Sequence, residues 1–325
     1  MNICFIDRTS FEYNSKNLYS DKLRGAESVL INLSNSLSEM RHDVTVINNC
    51  PKSEIINGIR WININSTLNI NDYDLAFANG DCRLFNLVKS KKKILFSHSL
   101  QSLEKFIRKK QLFAYLEHKP LVCFLSNYHY KNRSKLLHLF GNINLRYAVD
   151  DIFLNTKINE NVDNNLAIFT SRKDRNLELL VKIWTEHIYP KNNQLKLLVS
   201  DNNSNNESSN IFKRKLLSQQ DLITDLLKAR VYLVPGHKAE LYCLAAEEAK
   251  ELCIPIVTLG IGCLAERVEN GKSGFVAKNE NEFANFTLEL FNNNALWQEI
   301  RNYLLSIRGK KNWLNVADNL IKQLY

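Results

Sequence analysis

The chain of 325 residues is long for one domain and suits two of ~150 residues each. Hydrophobic residues at 45% and charged residues at 24% are ordinary for a globular protein. The seven cysteines are odd in number and form no C-x-x-C pair, which argues against a disulfide framework or zinc site and for a reducing compartment. The formal net charge of +9 suits nucleotide phosphates, nucleic acid or an anionic membrane surface, without choosing among them. No apolar run approaches the roughly 18 residues needed to span a bilayer, and Asp7 and Arg8 come too early for a secretory signal. The expected location is cytoplasmic.

In chain order, the apolar run Asn2–Ile6 reads as a buried strand. After Gly25, Val29, Leu33, Leu37 and Met40 recur at helical spacing. Further strands are expected at residues 44–47, 75–78, 93–97 and 121–126, and a polar stretch at about 155–165 reads as an interdomain linker. The alternation then restarts with strand 166–170, helix 176–187, strand 195–200 and a helix ending near Lys228. Strand 231–234, helix 239–252 and strand 254–258 follow. Residues 201–210, almost all Asn, Ser and acidic, cannot contribute to a core and are expected to form a mobile loop. Strands alternating with helices of these lengths imply parallel sheets covered on both faces. The expected fold is therefore α/β, with two doubly wound Rossmann-like domains at residues 1–155 and 156–310 and a final helix within 311–325. In such sheets ligands bind beyond the carboxyl ends of the strands, here expected in the cleft between the domains.

Glu240 and Glu248 follow Pro235 and Gly236 and are separated by seven residues. On the helix expected at 239–252, the first stands at the mouth and the second two turns inside. Eight residues of helix rise roughly 12 Å, the reach of a nucleotide sugar from hexose to ribose. The amides of Tyr242, Cys243 and Leu244 between them would attract a diphosphate. Solvated helix carboxylates are the alternative. Ser171, Arg172, Lys173, Asp174 and Arg175 place three cations around one acid in the loop after a strand, suited to phosphate or simply solvated. His98 follows the strand expected at 93–97 and is either structural or functional. Gly25 precedes a helix start, where it serves a turn or lets amides approach an anion. Asp72-Tyr73-Asp74 has the D-x-D form of a metal site, but it lies before the strand expected at 75–78 and reads as a turn, so no metal is expected. Residues 104–113 mix cations with aromatics. They form either a solvated face or a peripheral contact with an anionic membrane.

The segment from Glu240 to Val276 resembles the donor-binding signature of glycosyltransferase family 4. It has a strand ending in Pro235, the two glutamates, Pro255 one strand later, a loop with Gly260 and Gly262, then Glu266, Arg267, Val268, Gly271, Gly274 and Phe275. The family's adjacent glycines are split by Ile261, and Cys243 and Cys253 stand where many members carry glycine. Upstream, Asp7 and the run Arg24-Gly25-Ala26-Glu27 are similar to the family's first strand and glycine loop, with Arg24 replacing one glycine. Arg175-Asn176 resembles a basic residue followed by glycine.

The resemblance implies a GT-B fold and a retaining hexosyl transfer from a nucleotide diphosphate sugar to a saccharide or lipid-linked saccharide acceptor. It implies neither metal nor cofactor, a role in cell-surface polysaccharide synthesis, and a last helix that packs back on the first domain. Glu240 would orient the donor sugar and Glu248 would hold the ribose. Arg175, or as second choice Arg172, would hold the diphosphate, and His98 would face donor and acceptor. A non-catalytic nucleotide-sugar-binding protein and a GT-B epimerase remain as alternatives. A nucleic-acid-binding protein lacks its basic stripe interleaved with stacking aromatics, and a nicotinamide dehydrogenase lacks G-x-G-x-x-G after the first strand.

Overall fold

The computed structural model describes residues 1–19, 23, 25–66, 72–100, 102–158, 162–200, 209–214 and 218–325. Two units form, Met1–Tyr147 with Trp313–Tyr325, and Ala148–Asn312. Each carries its own sheet. Among the described residues no helix is long and apolar enough to cross a membrane.

In the first unit the strands are β1 (Asn2–Ile6), β2 (Asp43–Asn48), β3 (Glu54–Ile56), β4 (Ile59–Asn63), β5 (Asp72–Asn79), β6 (Lys89–Phe96), β7 (Leu121–Phe124) and β8 (Asn142–Asn144). They lie in the order β3-β4-β2-β1-β5-β6-β7-β8, all parallel except the β3–β4 hairpin. The hairpin turns on Asn57 and Gly58, both at positive φ (52° and 76°), as a two-residue turn between right-twisted strands requires. β1 is apolar without alternation because both faces are covered. Cys4 and Ile6 join one core, while Phe5 stacks on Phe77 at 4.7 Å on the other.

β5 and β6 run longer than the sequence pattern indicates. Asp72 and Asp74, expected in a turn, are strand residues, since β5 pairs with β6 from Asp72 onward. The Asp74 carboxylate accepts the Asn2 amide at 2.8 Å and pairs with Lys91 at 2.7 Å. The helix Gly25–Glu39 packs against the last helix, Trp313–Leu324, which also meets β8. Gln323 and Asn144 exchange hydrogen bonds there at 2.8 and 2.9 Å.

In the second unit the strands are β9 (Asp163–Phe169), β10 (Lys196–Ser200), β11 (Ile211–Arg214), β12 (Ala229–Leu233), β13 (Ile256–Thr258) and β14 (Gly274–Val276). All are parallel in the order β11-β10-β9-β12-β13-β14. Counted from β9 this is 3-2-1-4-5-6, the doubly wound order, with its switch point between β9 and β12. β12 is buried throughout, including Arg230. That guanidinium donates to Leu290 O and Asn164 Oδ1 and lies 4.5 Å over the Trp297 ring, so its charge is solvated by the protein.

The division between units falls at Tyr147, before the expected boundary at 155. The helix Asp151–Leu154 packs on Leu244–Glu251, and Arg308 donates to Phe153 O and Leu154 O at 3.0 Å each. β9 opens at Asp163, so the expected linker is shorter than 155–165. The helix expected at 176–187 is an α-helix over Leu177–Ile183, continued by a π turn, Trp184–Ile188. Of the loop expected at 201–210, residues 201–208 lie outside the described residues. Ser209 and Asn210 are anchored, by Trp184 Nε1 donating to Ser209 O and Asn210 Nδ2 donating to Asn193 O.

Leu320 is fully buried in the last helix. Leu320→Ala should lower the unfolding free energy by ~2–5 kcal/mol in chemical denaturation, as lost core methyls do. A loss under ~1 kcal/mol would show that this helix contributes little to the first unit.

Candidate functional site

At the switch point of the second sheet, the loop after β9 carries Ser171 to Arg175 and the loop after β12 carries Pro235 to Cys243. The Tyr232 hydroxyl lies beneath them, within 3.2 Å of Thr170 Oγ1 and 3.4 Å of Ser171 Oγ. Asn176 holds the loops together. Its backbone is left-handed (φ 64°), which asparagine tolerates better than most residues, and its Nδ2 donates to Gly236 O.

A third loop, after β13, locks the second in place. Gly236 bridges Ile261, and Cys263 N donates to Glu240 O at 3.1 Å. Gly262 has φ 77°, and a Cβ there would collide with His237 O and come within 2.9 Å of Glu240 O. Glycine is therefore required by both conformation and space.

These loops bring Arg175 and Glu240 together. Arg175 Nε lies 3.1 Å from Glu240 Oε2, with the side chains 21% and 18% exposed. Such partial shelter strengthens the attraction relative to water while leaving both groups reachable. Burial raises the Glu240 pKa, against the opposing pull of Arg175 and Arg172. Arg172 is more exposed and forks onto Asp174 through Nε at 2.9 Å and through Nη2. Asp174 is thereby held below the usual carboxylate range, chiefly by its hydrogen bond with Arg172.

The helix after Glu240 starts later than expected. It spans Leu244–Glu251, because Cys243 takes a left-handed backbone (φ 62°) that a right-handed helix cannot pass through. Glu240 thus lies in a turn closed by its own N–H on His237 O at 2.8 Å, and Glu248 lies one turn inside the helix. The expected rise of eight helical residues does not apply. The amides of Leu244 and Ala245 still head the helix and are not spent on its ladder. The side chain of Tyr242 is buried, its hydroxyl accepting from Lys311 Nζ at 2.6 Å and its ring facing Arg267 at 4.5 Å. Only its backbone is on offer to a ligand.

Burial raises the Glu248 carboxyl to about 7, with Asp150 adding to the rise. Its neighbour Glu247 behaves oppositely. Burial would raise it, but Lys250, Arg267 and Lys311 outweigh that and hold it low.

Gly25 and His98 belong to the first unit. Gly25 is the first residue of the helix Gly25–Glu39. Arg24 lies outside the described residues. His98 follows β6, its Nδ1 3.4 Å from the Tyr147 hydroxyl and its ring edge-on to Phe96. Burial lowers its pKa to about 4, so it is neutral at pH 7. Among the described residues no group of His, Cys, Asp and Glu is placed to hold a metal ion. Sequence reasoning missed Asn176 as the link between loops and Asp150 beside Glu248. The first could have been found from asparagine standing where a glycine-like backbone is needed.

Two parallel sheets in doubly wound order, one with its ion pair at the switch point, define a GT-B architecture of two Rossmann-like domains. Solved structures share it. HepE of Anabaena, in complex with UDP and glucose, matches with TM-score 0.68 at 13% identity, covering 100% of this chain and 99% of that one. Sucrose-phosphate synthase of Thermosynechococcus elongatus matches at TM-score 0.66 and 14% identity, covering 99% and 98%. TarM of S. aureus, in complex with fondaparinux, α-GlcNAc-glycerol and UDP, matches at TM-score 0.61 and 15% identity over 76% of this chain. The chain spans only 54% of that protein. Comparison with curated proteins gives no match. The sequence profile of the group 1 glycosyl transferases matches residues 117–306, more than half of the chain, which belongs to that family.

Two outcomes follow. Gly262→Ala should displace the Glu240 loop and lower stability by ~1–3 kcal/mol; an unchanged melting curve would show that the loops do not press together. Glu248 binds its proton more tightly in the folded than in the unfolded chain, where its pKa is near 4.5. It therefore penalises the folded state fully above about pH 7, and the penalty fades as pH falls toward 4.5. Glu248→Gln should raise the unfolding free energy by on the order of 1–3 kcal/mol at about pH 8, with the gain vanishing near pH 4. An equal effect at both pH values would show that the carboxyl is not perturbed.

Proposed function

We propose that this chain transfers a hexosyl group from a nucleoside diphosphate sugar to a saccharide or lipid-linked saccharide acceptor, with retention and without a metal. The observation that carries the reading is the Arg175–Glu240 pair at the switch point of the second sheet, with Glu240 four residues before the first amide of the helix Leu244–Glu251. A diphosphate entering there meets a guanidinium and free N–H groups, the elements that stabilise such an anion. Glu240, released from Arg175 by the incoming phosphate, is free to accept hydrogen bonds from sugar hydroxyls. Glu248 receives the ribose hydroxyls. UDP or a UDP-sugar in HepE and UDP in TarM support a nucleotide-sugar donor.

As the glycosidic bond breaks, negative charge grows on the leaving diphosphate. Arg175 binds that charge more strongly than the neutral-bonded donor, which lowers the barrier more than it improves binding. His98, neutral at pH 7, would take part through a hydrogen bond rather than a charge. The diphosphate charge is answered by Arg175, Arg172 and helix amides, which is the basis for metal independence. In this reading the reaction is cytoplasmic and contributes to cell-surface polysaccharide. WaaG, a glycosyltransferase involved in lipopolysaccharide biosynthesis, shares the fold at TM-score 0.65 and 10% identity over 98% of each chain.

Arg175→Ala should lower kcat by ~10²–10³ with a smaller change in donor affinity. Arg175→Lys should recover part of it, lacking the planar fork, and Arg172→Ala should have the lesser effect. Assays of donor hydrolysis and transfer with UDP-, GDP-, ADP- and dTDP-sugars, with and without EDTA, check this. Nucleotide binding without turnover would instead establish a non-catalytic binder. Epimerised sugar would establish an epimerase, and activity lost to EDTA and restored by Mn²⁺ would overturn metal independence.

A further inference from the structure

The first sheet has its own switch point, between β1 and β5, and a cleft of 560 Å³ opens there. Its lining comes from the strand ends (Arg8, residues 79–81, Arg83) and from the turn at residues 108–111. The turn follows the helix Leu103–Arg108 and is tight, with Lys110 left-handed at φ 54°. Gln111, 2% exposed, clamps it to the strand end by donating from Nε2 to Gly80 O at 3.2 Å. The backbone that carries the cations of this turn is thus held against the end of β5.

The charge is one-sided. Asp81, the single acid of the lining, is taken by Arg83 at 2.6 Å. Arg8, Arg108, Lys109 and Lys110 have no carboxylate within ion-pair reach among the described residues. Lys105 nearby is depressed by burial and then by Lys109 and Arg108, which shows how closely the like charges crowd. A concave site lined by four uncompensated cations focuses a positive potential and recruits an anion. A carboxylate would answer one of these charges, whereas a phosphate ester carries more charge and accepts from arginine forks and lysine points together. Asn79 also lines the cleft, its Oδ1 buried and with no partner among the described residues.

We propose that this cleft binds the phosphate group of a phosphorylated polyol or saccharide. That the group belongs to the acceptor rests on the glycosyl-transfer reading above; the anion site itself does not. The same phosphate chemistry is presented by a soluble ester or by a lipid headgroup, and the exposed Ile107 and Phe113 beside the turn make the second source worth a separate arm.

The full chain, Arg8→Gln and the double variant Lys109→Gln with Lys110→Gln would be titrated by calorimetry with glycerol 3-phosphate, glycerol and UDP. Each would also be sedimented with phosphatidylcholine vesicles with and without phosphatidylglycerol. Expected is binding of glycerol 3-phosphate but not glycerol, weakened at least ~10-fold in the variants, with UDP affinity unchanged. Vesicle binding that needs phosphatidylglycerol and is lost in the variants also supports the site and assigns the phosphate to a headgroup. Binding of neither probe, or binding that the variants leave intact, overturns it. Failure of the unaltered chain to bind UDP would count against the transferase reading alone, since the phosphate titration reads the first unit independently.

Discussion

Three loops at the carboxyl edge of the second sheet meet with no room to spare, and the placement of Glu240 follows from that contact. Gly236 lies against Ile261, and Gly262 lies against the carbonyls of His237 and Glu240. Backbone can approach backbone this closely only where no Cβ intervenes. The carbonyl of Glu240 is then held by Cys263 N and its own N–H by His237 O, which fixes the backbone from which its side chain reaches Arg175. The ion pair is thus a consequence of packing between loops, and partial shelter from water keeps it stronger than an exposed pair.

At three positions where the resemblance leads one to expect glycine, this chain carries Asn176, Cys243 and Cys253. All three keep the left-handed backbone, at φ 64°, 62° and 59°. Non-glycine residues in that region carry roughly 1–2 kcal/mol of steric cost each. Each has a local compensation. Asn176 gains its bond to Gly236 O, and Cys243 and Cys253 are buried small hydrophobes. Cys253 also closes its helix, with Cys253 N on Lys250 O at 2.9 Å and Ile254 N on Ala249 O at 3.0 Å. The backbone path that the glycines would have made easy is retained without them.

The parallel sheets were legible because their central strands, β1, β2, β9, β10 and β12, each hold a short, largely apolar and buried stretch. The edge strands were not. β8, β11 and β14 span three or four residues, too few for a period, and their pairing depends on neighbours distant in sequence. The β3–β4 hairpin went unread, although Asn57-Gly58 is a turn of the kind that joins adjacent strands. Arg175, Glu240 and Glu248 stood out through their spacing and resemblance, but the start of the helix did not. Leu241, Tyr242 and Cys243 carry no helix-breaking residue, and only the conformation of Cys243 excludes them. Asp72 and Asp74 show the opposite error, a turn-like composition overridden by pairing with β6.

Glu247 and Glu248 are adjacent, similarly half-buried and chemically identical, yet the protein treats them in opposite ways. Three cations surround Glu247, and the resulting network packs Arg267 over Tyr242 and ties the helix to the following loop. Its charge is fully used by the fold. Glu248 has no such escort and faces Asp150, so the folded chain pays to ionise it near neutral pH. A fold stabilised only for its own sake would place an amide or an apolar residue there. A carboxyl kept at that cost stands one turn inside the helix that follows Glu240, and the fold itself gains nothing from its charge. The contrast between the two neighbours shows that the charges around a carboxyl, and not its place on the helix, decide whether its ionisation stabilises this fold.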